Sequence, residues 1–556
     1  MHGVDPSLVN GHMAALLWPQ FRPAFHTSEA PPLRVTYSFQ TQRPADLRGT
    51  AWTDVSGWGD YTAAERAAVR QALAEYARVL NVTFEETTAE GAVDITFLRA
   101  SQGVSGGRGR YQYTDWDYDG FVLFNTNRNL ADPGQMTLLL HEIGHGFSLK
   151  HPGNYDVNPA NAPPGPYLPA EEDNYRFTLM SYSRNPDLFQ RPDSLMLYDI
   201  AALQQRWGAN LRTAPGNDVY GVRPDGNLQV IWDAGGDDWI TAAGTWGNQS
   251  IDLREGHFSV LTPPGHAVAA RIAIAYGARI ENAAGGDGND TLQGNALDNR
   301  LEGGDGNDFL LGGDGDDLLR PGAGNDTVWA GPGHDLVELV SGNNEVWAGA
   351  GNDTLYGGTG NDILGGGGDD DLIDARAGGV NQLWGGDGRD TLWASNNGDV
   401  AGGGGGDDLV YGGAGADMLI GGLGNDTVHG YGGNDALYLS LGNDIGYGGA
   451  GDDTIFAGAG FDQLWGGAGA DQFEFYRNFG WNRVEDFSAA QGDVLALGRW
   501  MWTGTHGQLT AAQVVNTFGR VNPAGDAVLD FTAAGTTVVV VGLGSLAGLE
   551  DNIVIL

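Results

Sequence analysis

Three histidines and a glutamate at residues 141–151 have the types and spacing of a metal-dependent hydrolase. His141 and His145 are four residues apart, so on a helix they project from one face about one turn from each other and can bind one metal ion. Glu142 then lies beside the open position of that metal. His151 can return as a third nitrogen ligand only if the helix stops and the chain turns back. Three protein ligands and a water form a catalytic zinc site rather than a closed structural one.

The element that carries the histidine pair is predicted to be a buried helix. The apolar run Met136-Thr-Leu-Leu-Leu140 leads into it, and Asp132-Pro133 suits an N-cap followed by the first helical residue. Upstream, Thr62-Ala-Ala-Glu65 is a capping box that predicts an amphipathic helix to about Leu80.

Two strands are predicted ahead of the metal helix. The alternation of Val93, Ile95 and Phe97 predicts one strand, and the apolar run Phe121-Val-Leu-Phe-Asn125 predicts another. The position of the second run suits an edge strand that pairs with extended substrate backbone. Together with the helices, these strands predict an α/β domain over residues 34–210.

Composition and charge narrow the range of partners. The 556 residues carry a net charge of −42 and no cysteine. Such acidity argues against nucleic acid and anionic membranes as partners and favours divalent cations. The lack of cysteine excludes disulfides and thiolate metal sites. No run approaches the ~20 apolar residues of a transmembrane helix, so we expect no transmembrane segment.

A nine-residue repeat of the form Gly-Gly-x-Gly-x-Asp-x-apolar-x occupies residues 285–474. It is the calcium-binding nonapeptide of RTX proteins. Counting in nines predicts 21 units with one extra residue near 365–376. The degraded units are 294–302, 339–347, 376–384 and 394–402.

The repeat predicts an extended parallel β-roll that depends on calcium. Glycines permit a partly left-handed turn, the eighth-position apolar residue fills a narrow core, and two units make one coil. The sixth-position aspartate supplies oxygen ligands to calcium, and without calcium these carboxylates should repel one another. The predicted calcium ligands are Asp290, Asp308, Asp317, Asp326, Asp353, Asp362, Asp417, Asp426 and Asp453. A disordered glycine-rich linker is the alternative, and the regular apolar eighth positions disfavour it.

The ninth position, which should face outward, is often aromatic. The residues are Trp329, Trp347, Tyr356, Trp384, Trp393, Tyr411, Tyr438, Tyr447, Phe456 and Trp465. Rows of exposed aromatic rings usually mark a contact surface, which here would dock a glycan, a cell-surface layer, a second copy or another domain. The alternative is that the rings stack on one another and stabilise successive coils.

The segments around the repeat have weaker signals. Residues 1–33 are predicted to be a removable prosegment, and the run Met13-Ala-Ala-Leu-Leu-Trp18 is too short for a secretory signal. Residues 211–284 are predicted to be the entry segment of the roll, and residues 475–556 a β-rich cap. The tail Glu550-Asp-Asn-Ile-Val-Ile-Leu556 suits an uncleaved carboxy-terminal secretion signal.

These motifs together resemble the serralysins, secreted bacterial metzincin endopeptidases with carboxy-terminal RTX rolls. The likeness runs from about residue 34 to 490 and includes His151-Pro152, which closes the metal motif. Its further motifs are Leu33-Arg-Val-Thr-Tyr-Ser-Phe39, Met180-Ser-Tyr182, Asp199-Ile-Ala-Ala-Leu203, Trp207-Gly-Ala-Asn210, Ile231-Trp-Asp-Ala-Gly-Gly236, Ile280-Glu-Asn-Ala283 and Gly466-Gly-Ala-Gly-Ala-Asp471. The resemblance implies an α/β metzincin zinc-protease domain, one catalytic zinc, several structural calcium ions and leaderless type I export through its secretion machinery.

The resemblance also implies roles for single residues. The three histidines would ligate zinc, and Met180 would lie beneath them. Glu142 would take the proton of the zinc-bound water and pass it to the leaving amine. Tyr182 would ligate the resting metal and then stabilise the oxyanion, and Asp199 would support the ligands.

Two features depart from the family pattern. Ser148 stands where the family has a glycine that releases the helix, and Gly146 is an alternative breaking point. The repeat array is also several times longer than is typical of the family.

Two functions follow from the sequence. The first is a secreted, extracellular zinc metalloendopeptidase that hydrolyses protein or peptide substrates, with a roll that serves export, folding and surface attachment. The alternative is a calcium-dependent surface or matrix-binding RTX protein with a weak or repurposed protease domain.

Overall fold

The structure is a computed structural model. It describes residues 15–17, 28, 30–42, 55–88, 93–101, 107–114, 117–153, 167–183, 192–221, 223, 227–262 and 270–556. The chain divides into two compact units. Unit 1 comprises Met1–Ala242 and Ile251–Asn282, and unit 2 comprises Ala243–Ser250 and Ala283–Leu556.

Unit 1 contains a five-stranded sheet and three helices. The strands are β1 Leu33–Gln40, β2 Val82–Glu86, β3 Ile95–Ala100, β4 Gly107–Thr114 and β5 Asp117–Asn125. The helices are α1 Ala63–Val79, α2 Met136–Gly146 and α3 Leu197–Trp207. The sheet order is β2-β1-β3-β5-β4, in which β4 alone runs antiparallel, against β5.

The order of the sheet corrects one prediction about the strand before the metal helix. β5 was expected at the edge, but β4 pairs along its outer side and is itself the edge strand. The strand predicted from Val93, Ile95 and Phe97 is confirmed as β3, and all six residues of β3 are buried. The reason is that both faces are covered: Val55 and Trp58, for example, pack against a cluster that includes Leu98 and Phe121.

The predicted helix signals are confirmed. Thr62 and Glu65 form the capping box at the start of α1, and α1 ends at Val79. Asp132 caps a 3₁₀ turn at Pro133–Gln135, which continues directly into α2, the helix of the histidine pair.

The remaining strands of unit 1 precede the repeat. They are Val219–Tyr220, Gln229–Ile231, Trp239–Thr241, Phe258–Leu261 and Ala270–Ile274. Two short strands, Ser250–Asp252 and Asn282–Ala284, lie where the units meet in sequence.

Unit 2 contains the predicted parallel β-roll, whose strands alternate between two sheets. One sheet has the strands Thr291–Gln293, Phe309–Leu311, Thr327–Pro332, Glu345–Ala350, Ile363–Gly368, Gln382–Asp387, Val400–Gly405, Met418–Leu423, Ala436–Leu441, Thr454–Phe456, Gln472–Phe475, Val494–Leu497 and Ile553–Ile555. The other has Arg300–Asp305, Leu318–Ala323, Leu336–Glu338, Thr354–Tyr356, Leu372–Asp374, Thr391–Trp393, Leu409–Gly413, Thr427–Gly432, Ile445–Ala450, Gln463–Ala468 and Gly480–Val484, followed by Gly519–Val521, Ala527–Phe531 and Thr536–Val540.

The register of the roll follows the nonapeptide. Leu292, Leu310 and Val328 are successive partners in one sheet and are fully buried, as the eighth-position prediction requires. One coil therefore takes two nonapeptides. The extra residue lies in the turn at 375–380, mostly beyond the predicted 365–376, because the partner spacing is still regular through Leu372–Asp374 and lengthens by one at the next strand.

The end of unit 2 is the predicted β-rich cap. Its last three strands before the tail are antiparallel to one another, and the helices α4 Thr503–His506 and α5 Ala511–Phe518 lie between the roll and these strands in sequence. Trp502 is buried and stacks on Phe531 at 5.8 Å between ring centroids. Among the described residues, no helix combines the length and apolarity needed to cross a membrane.

Candidate metal centres

Three imidazoles converge at the end of α2. The Nε2 atom of His151 lies 3.2 Å from Nε2 of His141 and 3.2 Å from Nε2 of His145. The hydroxyl of Tyr182 lies 2.9 Å from the same His151 nitrogen, and the Tyr182 side chain is 57% exposed. The structure therefore brings together the three predicted ligands and the predicted tyrosine.

Backbone carbonyls fix the protonation of two of these rings. Nδ1 of His141 donates to the carbonyl of Leu179 at 2.8 Å, and Nδ1 of His145 donates to that of Leu149 at 2.9 Å. A neutral imidazole protonated at Nδ1 carries its lone pair on Nε2. Nε2 of His141 and Nε2 of His145 therefore each offer a lone pair beside Nε2 of His151, and a shared cation would accommodate this arrangement.

Burial keeps the three imidazoles neutral. It lowers the pKa of His141, and burial and the charges of the other two histidines lower the pKa of His145 further. Burial and the neighbouring His141 lower the pKa of His151 to about 3. Neutral imidazole nitrogens are the form that binds a metal, so this donor set fits zinc.

The third histidine reaches the others because α2 ends in a Schellman motif. Ser148 N–H donates to His145 O at 3.1 Å, and Leu149 N–H donates to Gly144 O at 2.9 Å. Ser148 has φ 74°, in the left-handed region, whereas Gly146 is still the last residue of the helix. The turn is therefore made by Ser148 itself, at the position that usually holds glycine.

A methionine and an aspartate lie behind the histidines. Met180 is fully buried, and a Cβ at Gly144 would come within 3.1 Å of its sulfur, so the glycine allows the close approach. Asp199 accepts the N–H of Leu179 at 2.8 Å, and the carbonyl of Leu179 is the acceptor of His141. Asp199 is therefore connected to His141 through the backbone of Leu179. Burial raises its pKa to about 6.

Glu142 follows His141 on α2, and its residue is buried.

The sixth-position aspartates of the roll share one geometry. One oxygen accepts a backbone N–H from the previous coil, as when Asp290 N–H donates to Asp308 Oδ1 at 2.7 Å. The second oxygen is buried and, in eight of the nine predicted residues, has no hydrogen-bond partner: Asp308, Asp317, Asp326, Asp353, Asp362, Asp417, Asp426 and Asp453. The exception is Asp290, whose second oxygen accepts from Gly286 N–H at 2.6 Å. Buried oxygens that nothing satisfies are what a hard cation would coordinate.

The prediction missed eight aspartates that have the same geometry. They are Asp335, Asp371, Asp390, Asp408, Asp435, Asp444, Asp462 and Asp471. The sequence pattern could have identified them, because each occupies the sixth position of its nonapeptide. Burial raises the pKa of the carboxyls, to about 7 for Asp308 and about 8 for Asp317.

The degraded units have no sixth-position aspartate oxygen that is buried without a hydrogen-bond partner. Asn299, Asn344 and Asn381 occupy the sixth position in three of them, and Asn344 Oδ1 still accepts Asp326 N–H at 2.9 Å. In the fourth, Asp399 Oδ2 accepts from the N–H and the hydroxyl of Ser395, both at 2.8 Å. The hydrogen-bond ladder between successive coils is thus kept while the negative charge is removed or satisfied.

Unit 1 holds a further acidic cluster that the sequence prediction did not include. One oxygen from each of Asp218, Asp233 and Asp238 lies within 4.8 Å of the others. Asp238 is fully buried, and its Oδ2 has no hydrogen-bond partner. The only sequence signal was the Asp-Ala-Gly-Gly-Asp-Asp run at 233–238, a partial likeness to the repeat.

Comparison with known proteins places the chain in a family. The family model described as "Peptidase M10 serralysin C terminal" matches residues 218–495. The chain belongs to this serralysin family. The resemblance seen in the sequence is thereby confirmed, as is the RTX-like roll.

Curated relatives match part of the chain. Serralysin G of Dickeya chrysanthemi is 34% identical over 48% of this chain and 60% of its own length. Metalloprotease AprA of Pseudomonas entomophila (strain L48) is 30% identical over 49% of this chain and 60% of its own length. Serralysin of Proteus mirabilis is 37% identical over 35% of this chain and 41% of its own length. The chain thus spans 41–60% of the length of these relatives.

Replacing Ser148 by glycine should stabilise the loop that returns His151. Glycine removes the left-handed penalty of about 1 kcal/mol, but the more flexible unfolded chain and the lost hydrogen bond from Ser148 Oγ to Phe147 O limit the gain. We expect the free energy of unfolding of the full chain to rise by up to about 1 kcal/mol, with zinc affinity equal or higher. Chemical denaturation and chelator competition at saturating calcium measure both.

The matched control is Gly146→Ala, which places a methyl inside α2 where a Cβ would make only an ordinary 3.5 Å contact with Val122. It should leave zinc affinity unchanged. A large loss of affinity in Gly146→Ala, with none of the expected effect in Ser148→Gly, would contradict the assignment of the turn to Ser148.

The calcium-free roll should be most stable in acid. The folded pKa of these carboxyls lies above the unfolded value of about 3.9, so their protonated form favours folding below about pH 4, and that contribution is lost as the pH rises towards the folded values, about 8 for Asp317. Circular dichroism of chelator-treated protein should show β-structure declining from pH 4 to 8, with calcium restoring it most at the alkaline end. Asp317→Asn, which copies Asn344, should flatten the profile. A calcium-free roll that gains stability with rising pH would be inconsistent with buried, unpaired carboxylates.

Proposed function

We propose that this chain is a secreted zinc-dependent endopeptidase that hydrolyses peptide bonds in proteins. The observation that carries the proposal is the convergence of three neutral Nε2 atoms, with Glu142 on the same helix and the Tyr182 hydroxyl 2.9 Å from His151. The names of the relatives, two serralysins and a metalloprotease, support it.

His141, His145 and His151 would hold the zinc. When bound, zinc supplies a Lewis acid that polarises the substrate carbonyl and lowers the pKa of a water towards ~7. The hydrogen bonds from Nδ1 to Leu179 O and Leu149 O orient two of the rings and keep their Nε2 lone pairs directed at the metal position. Asp199 positions the Leu179 peptide.

Glu142 transfers protons, and Tyr182 stabilises the negative charge that develops during the reaction. The Glu142 carboxylate accepts a proton from the attacking water and later delivers it to the amine that leaves when the peptide C–N bond breaks. The Tyr182 hydroxyl is exposed beside the cluster and donates a hydrogen bond to the oxyanion that develops on the scissile carbonyl.

We propose that calcium ions stabilise the folded roll. The unsatisfied second oxygens of the sixth-position aspartates, and the Asp218–Asp233–Asp238 cluster, are the sites we assign to it. We further propose type I export without a cleaved leader, in which the roll folds once it meets extracellular calcium.

One backbone contact limits where a prosegment could be cleaved. Lys150 N–H donates to Leu16 O at 2.7 Å, and Ala15, Leu16 and Leu17 are buried. Because Lys150 precedes His151, cleavage at residue 33 would remove support from the ligand loop. We therefore place any cut before Ala15.

The alternative, a calcium-dependent surface-binding protein with a repurposed protease domain, is not favoured. Ser148 supported it, but the Schellman turn at Ser148 still returns His151 to the other two histidines.

Glu142→Ala should lower kcat for casein by about 10²-fold or more and leave one zinc per chain, since the carboxylate moves protons and is not one of the three ligands. Casein hydrolysis and elemental analysis at saturating calcium measure the two quantities. Glu75→Ala, which removes a half-buried carboxylate of α1 that pairs with Arg78, is the matched control and should retain activity. Full activity in Glu142→Ala, or activity that survives removal of zinc, would overturn the proposal.

Tyr182→Phe should lower kcat by about 10²–10³-fold and leave KM nearly unchanged, because the lost hydrogen bond acts on charge that exists only in the transition state. Steady-state kinetics on a fluorogenic peptide separates the two constants. A rise in KM at constant kcat would instead assign Tyr182 to ground-state binding.

A further inference from the structure

One row of aromatic rings on the roll stacks continuously. Trp393 stacks on Tyr411 at 3.9 Å between centroids, Tyr411 on His429 at 5.2 Å, and His429 on Tyr447 at 4.5 Å. These residues are partners in successive strands of one sheet. Mutual stacking accounts for this row as a stabilising ladder.

A cleft beside the ladder is not explained by stacking. It encloses about 360 Å³, and its walls include the rings of Trp393, Tyr411 and Tyr431 together with Arg376 and Asn396. Among the residues that the structure describes, no carboxylate lines it. In a chain of net charge −42, this is an aromatic recess whose one charged lining residue is Arg376.

The repeat departs from its own pattern at this cleft. The turn at 375–380 contains the extra residue of the array, and Arg376 from that turn lies over the Trp393 ring at 4.8 Å. The next turn on this edge replaces the paired glycines by Ala394-Ser395, and Ser395 satisfies Asp399 in place of a cation. Two neighbouring turns thus give up the calcium geometry where they line the cleft.

Tyr431 is a third departure. It has φ 72°, at a place where the neighbouring coils have Gly413 at φ 119° and Gly449 at φ 118°. Its ring lies 6.2 Å from Tyr411, and the residue is 52% exposed. A bulky side chain held in the left-handed region without being buried is strain that the fold does not require, and such strain gathers at functional sites.

We propose that this cleft binds a neutral carbohydrate. The exposed Tyr431 ring can cover the C–H face of a sugar, the stacked rings of Trp393 and Tyr411 form an apolar wall, and a guanidinium and an amide at the rim can bond the hydroxyls. The charge of Arg376 is matched by Asp374, to which Nε donates at 2.9 Å, so the site offers no net attraction to an anion. The surrounding acidic roll repels anionic polymers. The volume accommodates one or two sugar rings.

The experiment uses the full chain carrying Glu142→Ala, loaded with calcium, so that its outcome does not depend on proteolysis. The probes are neutral hexasaccharides of glucose and of N-acetylglucosamine, with alginate as an anionic comparison, measured by calorimetry. We expect binding of at least one neutral probe and none of alginate. Tyr431→Gly should weaken that binding about tenfold or more.

Tyr431→Gly restores the residue that the repeat uses, so it should fold, and its melting temperature with calcium should not fall. Two controls should bind as the parent does: Ser440→Gly, which relieves a φ of 76° elsewhere in the roll, and Trp347→Ser, which removes an exposed ring of the other sheet. The proposal is overturned if no neutral probe binds, if Tyr431→Gly binds equally, or if its only effect is a lower melting temperature.

Discussion

Electron-rich atoms are gathered in both units without a matching positive charge from the protein. In unit 1, the Nε2 atoms of His141 and His145 each lie 3.2 Å from Nε2 of His151. In unit 2, the aspartates of successive coils direct one oxygen to a backbone N–H, and their other oxygen is buried without a hydrogen-bond partner. Neither arrangement is stable as it stands, because a buried acceptor without a donor costs free energy. The zinc and calcium ions that we propose would satisfy both, so the proposed chemistry and the proposed folding of the roll share one requirement.

The catalytic proposal depends on where one helix ends. His141 and His145 need α2, whereas His151 needs the chain to reverse within six residues. The Schellman bonds of Ser148 and Leu149 achieve this and also place Leu149 O against His145. A single turn therefore ends the helix, returns a ligand and sets the tautomer of another. Serine at φ 74° shows that the geometry is kept even without glycine.

The roll is a regular structure in which only a few positions depart from the repeat. Its regular coils repeat one solution of backbone ladder, buried apolar residue and aspartate, so they differ little from one another. Exceptions are therefore informative. Asn344 removes a charge without changing the ladder, whereas the turn at 375–380, Ser395 and Tyr431 change the surface itself, and they do so side by side.

The sequence by itself determined the features that depend on local spacing. The histidine helix, its cap at Asp132, the capping box at Thr62 and the parallel roll all follow from residues close in the chain. Only the tertiary structure decided that β4 rather than β5 is the edge strand, because strand order depends on contacts between distant segments. For the same reason, only the folded chain brings Leu179 to His141 and forms a cleft from turns of separate coils. Spacing along the chain fixes which groups can act, but long-range packing fixes what each of them faces.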